Sequence, residues 1–165
     1  MKKIFLIVAL IATVSVKPVF AQEQQSQLSP LLSHYYGIKN ALVNSNAQDA
    51  SAHAGDFTKA VGAVDMKALS ADEKKAFMST QESLASESKH IADNKDIAKQ
   101  REYFAGLSAD FFKLAKAVKL TGQPVYYDYC PMKKSYWLTA DAAIKNPYFG
   151  NQMPTCGKIT ETLNK

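Results

Sequence analysis

The chain holds few of the residues that usually announce chemistry. Its 165 residues include two cysteines, one tryptophan, three histidines and, among twenty basic residues, a single arginine, Arg101. A surface for nucleic acid needs a concentrated stripe of Lys and Arg, and a net charge of +5 with one arginine does not supply it. Three of those charges, Lys2, Lys3 and Lys17, fall in the first 21 residues, which contain no acid, and subtracting them from +5 leaves only +2. Nucleic acid is therefore not the expected partner. Seven glycines and six prolines are too few for a low-complexity chain. A Gly-rich phosphate loop, a Ser-His-Asp order and a Gly-x-Ser-x-Gly motif are all missing, so the chain is not expected to be an enzyme.

Long apolar runs are equally scarce. The one candidate, Ile4 to Val16, is about 13 residues long, short of the roughly 20 that cross a bilayer. It follows Lys2 and Lys3 and is followed by the small-residue exit Val19–Ala21, the layout of a secretory signal peptide. Residues 1–21 are thus expected to be a signal peptide cleaved after Ala21. That leaves 22–165 as one exported, periplasmic domain with no stable membrane insertion, in an oxidising compartment where cysteines pair.

What is present is helical periodicity. Between Leu28 and Leu120 the only proline is Pro30, at a place suited to a first helical turn. Leu28, Leu31, Leu32, Tyr35, Ile38 and Leu42 form one apolar stripe, and Ala50, Ala54, Phe57, Val61 and Val64 a second. Phe77, Leu84 and Ile91 mark a third; Ile97, Phe104, Leu107, Phe111, Leu114 and Val118 mark a fourth. Breaks fall at Asn44–Asn46, at Ser70–Glu73, which reads as a capping box, and at Asp93–Asp96. Four stripes joined by short connections predict an all-α, up-and-down antiparallel four-helix bundle, with Phe104, Phe111, Leu107, Phe57, Leu84 and Tyr35 buried together.

From about residue 121 to 165 the composition changes. Val125–Cys130 and Ser135–Thr139 have the aromatic and β-branched character of short strands, and Asn146–Gly150 supplies turn residues. Five of the eight tyrosines, the tryptophan and both cysteines lie in this small, irregular or β-containing C-terminal tail. It is too short to hold a core alone and is expected to dock on the helices or be pinned by a link between its ends.

That link has two halves, Cys130-Pro131-Met132 and Met153-Pro154-Thr155-Cys156-Gly157, each offering one thiol and one thioether. The second half has the outline of a metal knuckle in which the first Cys is replaced by Met153. A thioether is a poor ligand for Zn²⁺, whereas Cu(I) and Ag(I) take thiolate and thioether readily. Cys130, Met132, Met153 and Cys156 therefore make a candidate site for Cu(I) or Ag(I), with Zn²⁺ less favoured. In an exported protein two cysteines 26 positions apart most often form a disulfide, and Cys130–Cys156 as a staple of a helical adaptor protein stands as the alternative. His34, His53 and His90 fall on three different stripes with no shared spacing and read as ordinary helix-surface residues. Arg101 reads as a structural donor to a loop carbonyl or carboxylate.

Val125–Met132 (VYYDYCPM), Tyr136–Thr139 (YWLT), Ile144–Gly150 (IKNPYFG) and Met153–Gly157 (MPTCG) occur in that order after Gln100–Phe104 (QREYF) and Leu107-Ser108. This pattern resembles the bacterial family catalogued as domain of unknown function 3347, over about residues 31–162. The resemblance implies an exported protein related to C-terminal extensions of the adaptor subunits of heavy-metal efflux pumps. It thereby implies copper or silver handling, with an efflux adaptor or a metallochaperone as partner. The Cys130–Met132 half is also similar to the start of small heavy-metal-binding domains attached to copper-transporting ATPases. This chain departs from those in lacking a His after Met132 and in carrying Met153 where they carry Cys.

Overall fold

The computed structural model describes residues 26–163; the expected signal peptide lies outside the described residues. Five α-helices come first: α1 (Ser29–Val43), α2 (Ala47–Gly62), α3 (Ala71–Met78), α4 (Gln81–Asp93) and α5 (Ile97–Ala117). Three strands follow, β1 (Val125–Cys130), β2 (Ser135–Thr139) and β3 (Lys158–Leu163), with a single 3-10 turn at Gly150–Gln152. The domain is mostly helical but carries a three-stranded antiparallel sheet of order β2-β1-β3, which corrects the all-α reading. Among the described residues no helix is long and apolar enough to cross a membrane.

The expected breaks are built as local chemistry requires. Asn46 caps α2 by accepting from the Asp49 N–H at 3.1 Å, and Asp96 caps α5 by accepting from the Ala98 N–H at 2.8 Å. Ser70 and Glu73 close a reciprocal capping box at the start of α3. The expectation of four helices is corrected to five, because the third stripe spans two of them. Ser79 and Thr80 turn their hydroxyls back onto the Ala76 carbonyl, at 2.7 and 3.1 Å, and the helix stops there. Phe77, Leu84 and Ile91 stay on one apolar face across that stop, so periodicity alone does not register it.

Helix α1 packs on α2, α2 on α4, and α4 on α5. Between them lie Tyr35, Phe57, Leu84, Phe104, Leu107 and Phe111, all fully buried as the stripes predict. Tyr35 stacks between Phe104 and Phe111, with ring centroids 5.3 and 4.8 Å away, and Phe57 meets Phe111 edge-on at 5.6 Å.

Tyr35 also joins the helices to the sheet. Its hydroxyl shares a 2.7 Å hydrogen bond with Ser108 Oγ of α5 and accepts from the Leu138 N–H of β2 at 3.0 Å. A second tie is Arg101, the lone arginine. It donates to the Pro147 carbonyl at 2.9 Å, to the Leu42 carbonyl at 3.0 Å and to Ser45 Oγ at 2.9 Å, fastening the loop after β2 to the C-terminal end of α1. Gly150 sits in that clasp at φ +52°, and a Cβ there would lie 2.5 Å from the guanidinium. On the sheet, Tyr127 stacks on Phe112 of α5 at 3.6 Å. Tyr35→Phe keeps the stacking but strips two buried polar partners of their oxygen, and should cost about 2 kcal/mol in urea unfolding. A loss under about 0.5 kcal/mol would show that this hydroxyl does not hold the sheet to the helices.

Candidate metal centre

Cys130 ends β1, and Cys156 stands two residues before β3. The two strands run antiparallel with Tyr129 opposite Lys158, so the exit from one and the entry to the other are the same place. The cysteines are free, and the two lie within electrostatic reach of each other at this end of the sheet. Each is held by a tight turn. After Cys130 the chain reverses through Pro131–Lys134, where Lys134 takes φ +56° and donates to the Cys130 carbonyl at 2.8 Å. The Lys133 N–H points at Cys130 Sγ from 3.5 Å. Before Cys156 the Met153 carbonyl accepts the Cys156 N–H at 3.3 Å.

The methionines are placed differently from the thiols. Met132, on the hairpin turn after Cys130, is 65% exposed. Met153 follows the 3-10 turn and is half-buried. The structure therefore brings two cysteines to one end of the sheet and leaves two thioethers on the flanking turns. Burial and the neighbouring Cys130 raise the Cys156 pKa above its ordinary value.

Asn146 organises this end of the sheet. It is fully buried, and its amide N–H₂ donates to the Cys156 carbonyl at 2.6 Å and toward Cys130 Sγ at 3.2 Å. Its side-chain oxygen accepts from the Tyr148 and Phe149 N–H groups at 2.8 and 3.4 Å, and its backbone N–H donates to the Pro154 carbonyl at 2.8 Å. One carboxamide thus holds both cysteines and the loop between them. Sequence reasoning saw Asn146 only as a turn residue. Nearby, Gly157 allows Trp137 to pass, since a Cβ there would lie 2.8 Å from the indole.

The family model described as protein of unknown function (DUF3347) matches residues 31–123. The chain belongs to this family. No curated protein and no solved structure matches it. The DUF3347 match runs from α1 to the residue before Pro124, so it describes the helical layer, and the tail with its four sulfurs lies beyond the matched residues.

In this DUF3347 member the three histidines stay away from the thiols. His34 and His53 lie on α1 and α2, both within electrostatic reach of Asp56, and His90 stacks on Tyr103 at 4.7 Å. Among the described residues no group of three or more His, Cys, Asp or Glu side chains is placed to hold a metal ion.

Asp128, paired across the strands with Trp137, is the unusual neighbour. It is fully buried, and among the described residues neither its carboxylate oxygens nor the Trp137 indole N–H has a hydrogen-bond partner. Burial pushes its pKa up to about 6, against the pull of the buried Lys39 ammonium, which itself bonds Thr139 at 3.2 Å and Asp141 at 3.4 Å. A carboxylate raised in this way leaves stability intact below its unfolded pKa of 3.8 and erodes it as pH rises through about 6. Asp128→Asn should therefore stabilise the metal-free chain at pH 8, by up to about 3 kcal/mol, and leave it nearly unchanged at pH 4. An equal gain at both pH values would show that ionisation is not the cause. Asn146→Ala removes donors and acceptors together and should lower stability by roughly 3 kcal/mol or more in urea unfolding; a change below about 1 kcal/mol would remove Asn146 from the centre of this account.

Proposed function

We propose that the tail binds one soft monovalent ion, Cu(I) or Ag(I), between the thiolates of Cys130 and Cys156, with Met153 and Met132 as thioether donors. The observation that carries this reading is the placement of the two cysteines at one end of the sheet, where the Asn146 carboxamide bonds both of them, between two turns that each carry a methionine. Soft d¹⁰ ions accept two thiolates as a sufficient core and thioethers as additions, whereas Zn²⁺ requires four good ligands and has two here. Two thiolates around a monovalent ion leave one negative charge, and Lys133, Lys134 and Lys158 stand beside them to offset it.

In this reading the chain is an exported, periplasmic carrier or buffer of copper or silver that serves a heavy-metal efflux adaptor or a metallochaperone. It is a binding module, not an enzyme. The four longer helices, α1, α2, α4 and α5, act as an up-and-down scaffold that presents the tail. The competing reading, a permanent Cys130–Cys156 disulfide in an adaptor protein, predicts thiols that stay unreactive to alkylation until a reductant is added.

Competition titration of the reduced chain should find one equivalent of Cu(I) or Ag(I) per chain, bound far more tightly than Zn²⁺. Met132→Leu with Met153→Leu keeps the volume and removes both thioether sulfurs, and should weaken Cu(I) much more than Zn²⁺. Of the single changes Met153→Leu should cost more, because Met132 must fold inward from solvent to reach the thiols. Absence of stoichiometric Cu(I) binding to the reduced chain, or a double variant that binds as well as the parent, would overturn the reading.

A further inference from the structure

The two thiols differ in what they offer to a reagent from solvent. Cys130 is fully buried, with Asn146 Nδ2 and the Lys133 N–H directed at its sulfur from 3.2 and 3.5 Å. Cys156 is partly exposed, on the segment between the 3-10 turn and β3. Antiparallel pairing of β1 with β3 and the Asn146 carboxamide set the two cysteines side by side, and the chain has no third cysteine. A disulfide arriving from outside meets Cys156 first. Once Cys156 carries a mixed disulfide, the only protein thiol beside it is Cys130, whose sulfur is held in place by the Asn146 and Lys133 N–H groups.

We infer that Cys130 and Cys156 form a redox gate on the metal site, in which Cys156 exchanges with an external disulfide and Cys130 resolves the product. In the first step Cys156, after losing its proton to water, attacks one sulfur of the external disulfide. The Cys156–sulfur bond forms, the external S–S bond breaks, and one thiolate leaves and takes up a proton. In the second step Cys130, after losing its proton to water, attacks the Cys156 sulfur, the Cys130–Cys156 bond forms, the bond from Cys156 to the external sulfur breaks, and the second external thiolate leaves and takes up a proton. Two protein thiols are oxidised and one external disulfide is reduced to two thiols; excess thiol reverses both steps. The closed pair has no thiolate left for a soft ion. The exchange chemistry stands by itself, and only its effect on metal rests on the function proposed above.

The test uses the metal-free chain and glutathione disulfide, whose carboxylates suit the Lys133, Lys134 and Lys158 surroundings, followed by intact mass. The wild type should lose two hydrogens and retain no adduct. Cys130→Ser should hold one glutathione per chain, and Cys156→Ser should acquire one at least about ten-fold more slowly. Equal adduct rates in the two variants, or a wild type that keeps its adduct, would overturn the inference. Should Cys130→Ser disturb folding, limiting iodoacetamide on the folded wild type gives the same answer: Cys156 should be alkylated before Cys130, and the reverse order would overturn it. The oxidised chain should then fail to bind Cu(I) and regain binding with a phosphine reductant. A reduced chain that binds no Cu(I) but shows the expected exchange would sink the proposed function and leave the exchange chemistry standing; Cu(I) binding with no difference between the cysteines would sink the gate alone.

Discussion

The structure turns on one buried hydroxyl. The tail of some forty residues cannot hold a core of its own, and its edge strand β2 would otherwise present the Leu138 N–H to an apolar layer. Tyr35 accepts that N–H while sharing a second hydrogen bond with Ser108, and its ring stacks between Phe104 and Phe111. The same side chain is therefore the middle of the helical core and the acceptor that lets a strand lie against it. Burial holds the hydroxyl far above its ordinary pKa, so it remains a neutral partner at any physiological pH. Arg101 repeats the arrangement at the other end of the loop, bringing the backbone of 147 under a guanidinium that also holds the end of α1.

These two ties fix the frame in which Asn146 works. Arg101 holds the neighbouring carbonyl, Gly150 leaves room for the clasp, and the Asn146 carboxamide is thereby pointed at Cys130 and Cys156 from a buried position. A carboxamide has two donors and an acceptor in one rigid plane, and here all are used, on two cysteines and two backbone amides. The thiols meet because antiparallel pairing returns the chain to the end of β1, and they stay in place because that amide spans them. The helices supply no atom to the pair; their part is to make the loop rigid.

Much of the helical layer was legible. The caps at Asn46, Ser70 and Asp96 are short-range chemistry, and the buried faces follow from spacing. The stop at Ser79-Thr80 was not legible, since two hydroxyls can break a helix without moving its apolar face. In the tail, β1 and β2 announced themselves through aromatic and β-branched residues. β3 did not: Lys158–Leu163 is largely exposed, and it is a strand because β1 offers it a ladder, with a bulge at Tyr127/Asp128 where Thr160 donates to the Tyr127 carbonyl. The candidate site was legible as a set of sulfurs and illegible as an arrangement. Nothing in the residue order distinguishes Met132 at the surface from Met153 half-buried, or marks the Asn in a Pro-rich turn as the residue between both cysteines.

The extent of the family match sharpens where function should be sought. DUF3347 covers residues 31–123, the helical layer with its apolar stripes, and stops before the segment that carries both cysteines. In the tail the features that packing leaves unexplained lie close together: two free thiols at one end of the sheet, a methionine left in solvent on the turn after Cys130, Lys133 and Lys134 on that turn with Lys158 opening β3, and a buried Asp128 whose oxygens have no partner among the described residues. A domain built only for stability would replace a buried, unpartnered carboxylate and would have no use for an exposed Met132. The helical layer supplies a rigid surface, although Tyr36 and Gln100 there also bury side-chain oxygens without a partner among the described residues. The chemistry that remains to be accounted for is therefore that of the sheet end, where charge, softness and accessibility all change within the few residues around Cys130 and Cys156.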